Sequence, residues 1–295
     1  MPSPTFAHLT DRALIRVSGP DTHHFLQNLI TADLDSVDRT GAGSAALLTP
    51  QGKIQFDFLI YRADEAYLLD VPGAAAPDLL KRLTFYRLRA KVDLEQLGGQ
   101  TGVFAIWDGT AEPADADLTV TDPRLPALGM RSVGPITMPS GPAAEQSDVA
   151  AYDAHRISLG VPEGLKDYDY SDIFPHDADL DQLNGVSFRK GCFVGQEVVS
   201  RVQHRGTARK RFLPVESSDA LPGKGEAVTA DGKSVGTLGS SAVVAGKTVA
   251  LALLRLDKVA QAKENGSPLQ CGEAELQARL PDWAAFTWPE PTNAA

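Results

Sequence analysis

The run Lys190-Gly-Cys-Phe-Val-Gly-Gln-Glu197 sets one of the chain's two cysteines between two glycines, just ahead of a segment patterned as a helix. Glycine suits backbone that turns tightly or approaches a ligand closely. A thiol at a helix N-terminus meets unpaired N–H groups and the positive dipole end, which favours the thiolate. Lys190 adds a second cationic influence, so the Cys192 pKa is expected to fall from about 8.5 into the range of roughly 3.5 to 7.5 typical of reactive thiols. Free cysteine is also among the residues most often buried, so a packed, inert Cys192 is the alternative. In the helix that follows, Val198, Val199 and Val202 share one side, Glu197 and Arg201 form an acid-before-base pair, and Gly206 is a stop signal. On the reactive reading, Cys192 is the chemical group and Lys190 its electrostatic partner. Gln196 and Glu197 hold the loop or a ligand, and Arg201 orients Glu197.

Charge is segregated around this run. From Arg189 to Arg211 the chain has seven Lys or Arg against Glu197 alone, within a protein of net charge −10. Such a stretch is either a solvated face or a site for an anionic ligand or partner. Just upstream, from Glu163 to Asp181, seven acids stand against Lys166. The two blocks either neutralise each other or line opposite walls of a cleft. Tyr168, Tyr170, Phe174 and His176 lie among the acids, a combination that suits a heterocycle with several N–H donors. A metal fits less well, because the ligand order of a calcium loop and paired-histidine motifs are both missing.

These groups need a scaffold. Arg12–Ser18 alternates as a strand, and Asp21–Ile30 reads as a helix. Ala45–Thr49 and Ile54–Tyr61 flank the turn Thr49-Pro-Gln-Gly52 as a hairpin. A strand over Ala66–Val71, a helix over Pro77–Tyr86, and strands over Ala90–Leu97 and Gly102–Trp107 follow. Gly141–Ser147 reads as a loop before a helix over about Asp148–Leu159. After Arg211, short apolar strands are separated by turns, with Asp231-Gly232 a strong hairpin signal. Single helices interspersed among strands indicate α+β units rather than one long parallel sheet.

A length of 295 residues suggests about two domains, and an apolar fraction of 43% supplies a sizeable core. The longest apolar run, Val249–Leu254, is too short to span a bilayer, so no membrane partner is expected. The N-terminal residues resemble neither a secretory signal nor an Arg-rich transit peptide, which makes cytoplasm the expected location. Two widely spaced cysteines build no disulfide framework.

The Lys-Gly-Cys-aromatic-x-Gly-Gln-Glu core, with Arg156-Ile-Ser-Leu-Gly-Val-Pro-Glu163, Ile173-Phe-Pro-His-Asp177, Leu180-Asp-Gln-Leu-Asn184 and His204-Arg-Gly206, resembles the YgfZ family. These are folate-binding proteins related to the T-protein of glycine cleavage. The resemblance implies an α+β fold of three modules around a central channel, with a C-terminal β-barrel. Residues 1–206 would form the folate-binding region, its second subdomain inserted at about 50–120, and residues 207–295 the barrel domain. It also implies tetrahydrofolate, or a one-carbon derivative, as cofactor, and iron-sulfur cluster assembly or maintenance in client proteins as the role. Tyr152 and Arg12 fall where the family contacts the folate rings, with Arg12 replacing an aromatic residue found in some relatives. A branch of the family is linked to tRNA modification, which makes tRNA a possible partner of the basic face. A folate-dependent aminomethyltransferase is the rival enzyme, with Asp57 meeting the folate amine, but T-proteins have two neighbouring acids where this chain has Phe56 and Asp57. Two cysteines are too few for ordinary cluster ligation within one chain, so Cys192 would donate one ligand at an interface with a client or assembly protein, or protect or reduce a partner's cluster.

Overall fold

The computed structural model describes residues 3–110, 113, 115–137, 144–206 and 208–289, and its packing divides the chain into two units. The first comprises Met1–Tyr152 and Leu183–Gln196. Along it run β1 (Thr5–His8), β2 (Arg12–Ser18), α1 (Thr22–Gln27), α2 (Leu34–Thr40), β3 (Ala42–Leu48), β4 (Ile54–Ala63), β5 (Ala66–Pro72), α3 (Ala76–Arg87) and β6 (Asp93–Gln96). They are followed by β7 (Thr101–Trp107), β8 (Leu118–Thr121), β9 (Met130–Pro135) and β10 (Glu145–Ser147), and by α4 (Val149–Ser158), whose residues from Asp153 onward belong to the second unit. Two five-stranded sheets result, ordered β3-β4-β5-β2-β6 and β10-β1-β7-β9-β8. Leu14, Leu59 and Leu68 from one sheet and Ala105, Trp107 and Val133 from the other share a single apolar core. This is the burial that period-two alternation calls for.

The expected hairpin forms between β3 and β4, where Gly52 N–H donates to Thr49 O at 2.8 Å and Gly52 adopts φ +81°. That left-handed conformation is why glycine stands there. Part of the expected Gly141–Ser147 loop lies outside the described residues, but Glu145–Ser147 is β10, paired in parallel with β1. Nothing local announces a three-residue strand whose only support is a distant partner. Helix α2 also escapes the periodicity reading, because it is seven residues long with only Leu34 and Val37 buried.

The second unit comprises Asp153–Gln182 and Glu197–Ala295. Helix α5 (Gln196–Arg205) is followed by β11 (Lys210–Ser217), β12 (Ala227–Ala230), β13 (Lys233–Val244), β14 (Lys247–Arg255), α6 (Leu256–Asn265), β15 (Leu269–Cys271) and β16 (Ala274–Ala278). The strands close into a barrel in the order β11-β14-β13-β12-β15-β16. Asp231 and Gly232 both take positive φ between β12 and β13, the two-residue turn whose twist matches the flanking strands. Leu213, Val228, Leu238, Leu254 and Val259 fill the interior, and Cys271 is packed among them. The α+β class and the C-terminal barrel are therefore as expected, while α6 was hidden in a stretch that reads as short strands.

Candidate functional site

Cys192 is exposed, on a loop clamped from both sides. Upstream, Thr31 Oγ1 donates to Gly185 O at 2.6 Å and Ser187 N–H donates to Thr31 O at 2.9 Å. Lys190 then turns inward, and its ammonium donates to Gln27 O at 2.6 Å and to Ile30 O and Ala32 O at 2.7 Å each. The same ammonium lies 5.5 Å from the centre of the Phe193 ring, which is itself buried. Downstream, Gly195 has φ +78°, and a Cβ there would come within 2.5 Å of Thr49 O. The β3–β4 turn therefore requires a glycine at 195.

This geometry corrects two expectations. The three ammonium N–H groups of Lys190 are committed to backbone carbonyls, so Lys190 positions the loop and has no N–H left to donate to the thiol. Helix α5 begins at Gln196, so Cys192 lies ahead of the first turn and outside the reach of its N–H groups. Burial draws the Lys190 pKa down to about 8, with Asp33 opposing that fall. The packed reading of Cys192 fails because the residue is exposed, whereas burial raises the pKa of Cys271, with Glu226 adding to the rise.

The residues expected at the folate rings lie inside the first unit. Arg12 Nε donates to Asp70 Oδ1 at 2.6 Å, and Tyr61 O–H donates to Asp70 Oδ2 at 2.7 Å. The Tyr152 side chain is 1% exposed, with Arg131 stacked 4.7 Å from its ring centre and Trp107 edge-on at 5.7 Å. Its hydroxyl accepts from Arg131 at 2.6 Å and from Arg124 at 3.0 Å. A ring so enclosed cannot also stack on a pterin, and Arg12 is a buried ion-pair partner rather than an open cationic plane. Both are corrected to framework roles. Burial works against the Asp122 carboxylate, but Arg124 and Arg131 outweigh it and hold the pKa below the usual range. Asp57 is half-buried on β4, opposite Ala46 and between the buried Phe56 and Phe58.

Gln196 opens α5, its N–H donating to Phe193 O at 3.3 Å. Glu197 and Arg201 pair at 2.5 Å as their spacing requires, in full view of solvent. Of the basic block in the second unit, Arg211 is drawn into the acidic one, while Arg201, Arg205, Arg209 and Lys210 are exposed. Arg211 binds Asp181 at 2.5 Å and Asp179 at 3.2 Å, and Arg156 binds Asp167 at 2.7 Å. The reading of two opposed cleft walls is therefore withdrawn for these residues.

A cavity of about 800 Å³ opens in the first unit, and none of the eight residues singled out from the sequence lines it. Its walls come from α2, the start of β3, β8 and the segment leading into the cysteine loop, which contributes Val186, Ser187 and Arg189. The only sequence signal for it was the start of the basic run at Arg189. Among the described residues, no group of three or more His, Cys, Asp or Glu side chains is arranged to hold a metal.

Residues 209–286 match the CAF17 C-terminal beta-barrel domain family. The whole chain is similar in fold to the glycine cleavage system aminomethyltransferase T from Bartonella henselae, with a TM-score of 0.74 and 16% identity over 95% of this chain and 85% of that one. Among curated proteins, it is 33% identical to the human mitochondrial iron-sulfur cluster assembly factor IBA57 over 95% of this chain and 84% of that protein. The mouse protein is 32% identical over 97% of this chain and 86% of its own. A Chaetomium globosum homologue reaches 38% identity over 70% of this chain but only 55% of its own length, so the chain spans little more than half of that relative. These relatives are mitochondrial proteins, which overturns the cytoplasmic expectation drawn from the N-terminal residues. Near-complete coverage at this level of identity places the chain in the IBA57 family of iron-sulfur cluster assembly factors.

Proposed function

We propose that the protein serves iron-sulfur cluster assembly or maintenance by presenting Cys192 to a client or assembly protein at an interface. The observation that carries this reading is an exposed thiol on a loop that is tied down on both sides, in a chain whose other cysteine is buried. One thiolate cannot complete a cluster's ligand set, so the remaining ligands come from the partner. The cluster is cargo in this scheme, and Lys190, Ser187 and Gly195 keep the thiol where a partner can meet it.

Tetrahydrofolate is the proposed cofactor, supported by the motif resemblance and by the fold shared with a glycine cleavage aminomethyltransferase. The enclosed Tyr152 and the paired Arg12 do not fit as direct ring contacts, so no step is routed through the folate. A titration with reduced folates, followed through Trp107, Trp283 and Trp288 and checked by calorimetry, tests the cofactor. The thiol is tested separately. In the native protein an alkylating reagent should modify Cys192 alone, and Cys192→Ala should keep the fold but lose the ability to support cluster delivery to an apo-client. Full delivery by the alanine variant overturns the proposal.

A further inference from the structure

The 800 Å³ cavity of the first unit falls within the range of small-molecule sites, and its charged groups are sorted by sign. Arg39 and Arg189 both line it, and neither guanidinium has an acceptor among the described residues. The acids of α2 that would oppose an anion are turned elsewhere. Asp35 faces His23 at 3.1 Å, and Asp38 accepts from Tyr67 O–H at 2.5 Å. Of the carboxylates in the wall, Asp122 is bound by Arg124 at 2.7 Å and by Arg131 at 3.2 Å, and Asp33 accepts from Gln27 at 2.9 Å and sits in the field of Lys190. Hydroxyls of Ser36, Ser44 and Thr121 add neutral donors to the lining. Arg131, which binds Asp122 next to the wall, leaves its Nη1 without an acceptor among the described residues. In a chain of net charge −10, a hollow whose unengaged charges are both guanidinium is not what average composition supplies.

We propose that this cavity binds a small organic anion bearing phosphate or carboxylate groups, with Arg39 and Arg189 as its charged contacts. The site is separate from the folate reading and does not depend on it. Guanidinium groups suit both chemistries through paired, charge-assisted hydrogen bonds. Because Arg189 stands beside Lys190 in the chain, occupancy would bear on the segment that enters the cysteine loop.

Calorimetric titration of the full-length protein with inorganic pyrophosphate and with citrate tests this, with Arg39→Gln and Arg189→Gln compared against Lys233→Gln as an exposed barrel control. Saturable binding of either probe, weakened about tenfold or more by each arginine variant and unchanged by the control, supports the site, and the preferred probe tells phosphate from carboxylate. Absence of binding, equal weakening by Lys233→Gln, or no effect of the arginine variants overturns it. Repeating the titration with tetrahydrofolate present should leave the affinity unchanged; competition would show that no separate site exists. Failure of the folate titration itself would leave this result standing.

Discussion

Lys190 and Arg211 stand near the two ends of one basic run, and both are withdrawn from solvent, but they are satisfied in opposite ways. Lys190, in the first unit, meets three neutral carbonyls just beyond the end of α1. Arg211, in the second, meets the carboxylates of Asp179 and Asp181 and the carbonyl of His176 at 2.8 Å. Burial raises the Asp179 pKa well above its usual range even though Arg211 opposes that shift. A cation held by carbonyls organises a loop and leaves no buried counter-charge behind, whereas one held by carboxylates is half of an electrostatic knot. A count of positive residues along the sequence does not tell these cases apart, nor does it separate them from Arg189, Arg201, Arg205, Arg209 and Lys210, which are all exposed.

The difference can be broken most forcefully at Arg211. Arg211→Met strands two buried carboxylates and should cost about 3 to 5 kcal/mol, read from the urea midpoint. Lys190→Met removes donors only from neutral groups that water can reach once the loop loosens, so about 1 to 3 kcal/mol is expected. Its stronger signature is local: limited proteolysis should cut near Gly191, and alkylation of Cys192 should lose its single-phase course. If both variants lose equal stability with no change at the loop, the contrast between the two cations is wrong.

Acid sharpens the comparison further, because His176 belongs to the Arg211 knot. Burial lowers its pKa below the ordinary 6.5, while Asp181 and the contact to Gln203 pull it back up. The unfolded chain therefore takes up the proton first on acidification. The stability contributed by neutral His176 is present above about pH 6.5 and is lost as pH falls toward the lower folded value. His176→Gln should flatten that part of the stability-against-pH curve, and Lys190→Met should leave it unchanged. The smallest effect is expected at Glu197 and Arg201, whose exposed pair should change stability by no more than about 0.5 kcal/mol when either is replaced by alanine.

Much of the scaffold was legible in the residues. The alternation in β2 and β4, the Thr49–Gly52 turn, the α5 stop at Gly206 and the Asp231–Gly232 hairpin all rest on local preferences that survive folding because tertiary packing agrees with them. The site was legible only in part. The loop around Cys192 and the Glu197–Arg201 pair could be read from spacing. The targets of Lys190 could not, because Gln27, Ile30 and Ala32 lie far away in the chain and offer only backbone, which carries no sequence signature. Arg12 and Tyr152 were misplaced for a related reason: an arginine or tyrosine suited to stacking on a ligand is equally suited to a buried network, and the choice depends on partners such as Asp70 and Asp122.

By itself, the sequence determined which segments become strands and turns, that Gly195 marks a tight approach, and that at most two thiols were available for chemistry. Tertiary structure alone decided that Cys192 is the reachable one, that Lys190 works as an anchor, and where an arginine-lined hollow lies. Local conformation follows from sterics and hydrogen bonding between near neighbours. Exposure, charge compensation and cavity shape depend on groups brought together from distant parts of the chain, and those are settled only when the core closes.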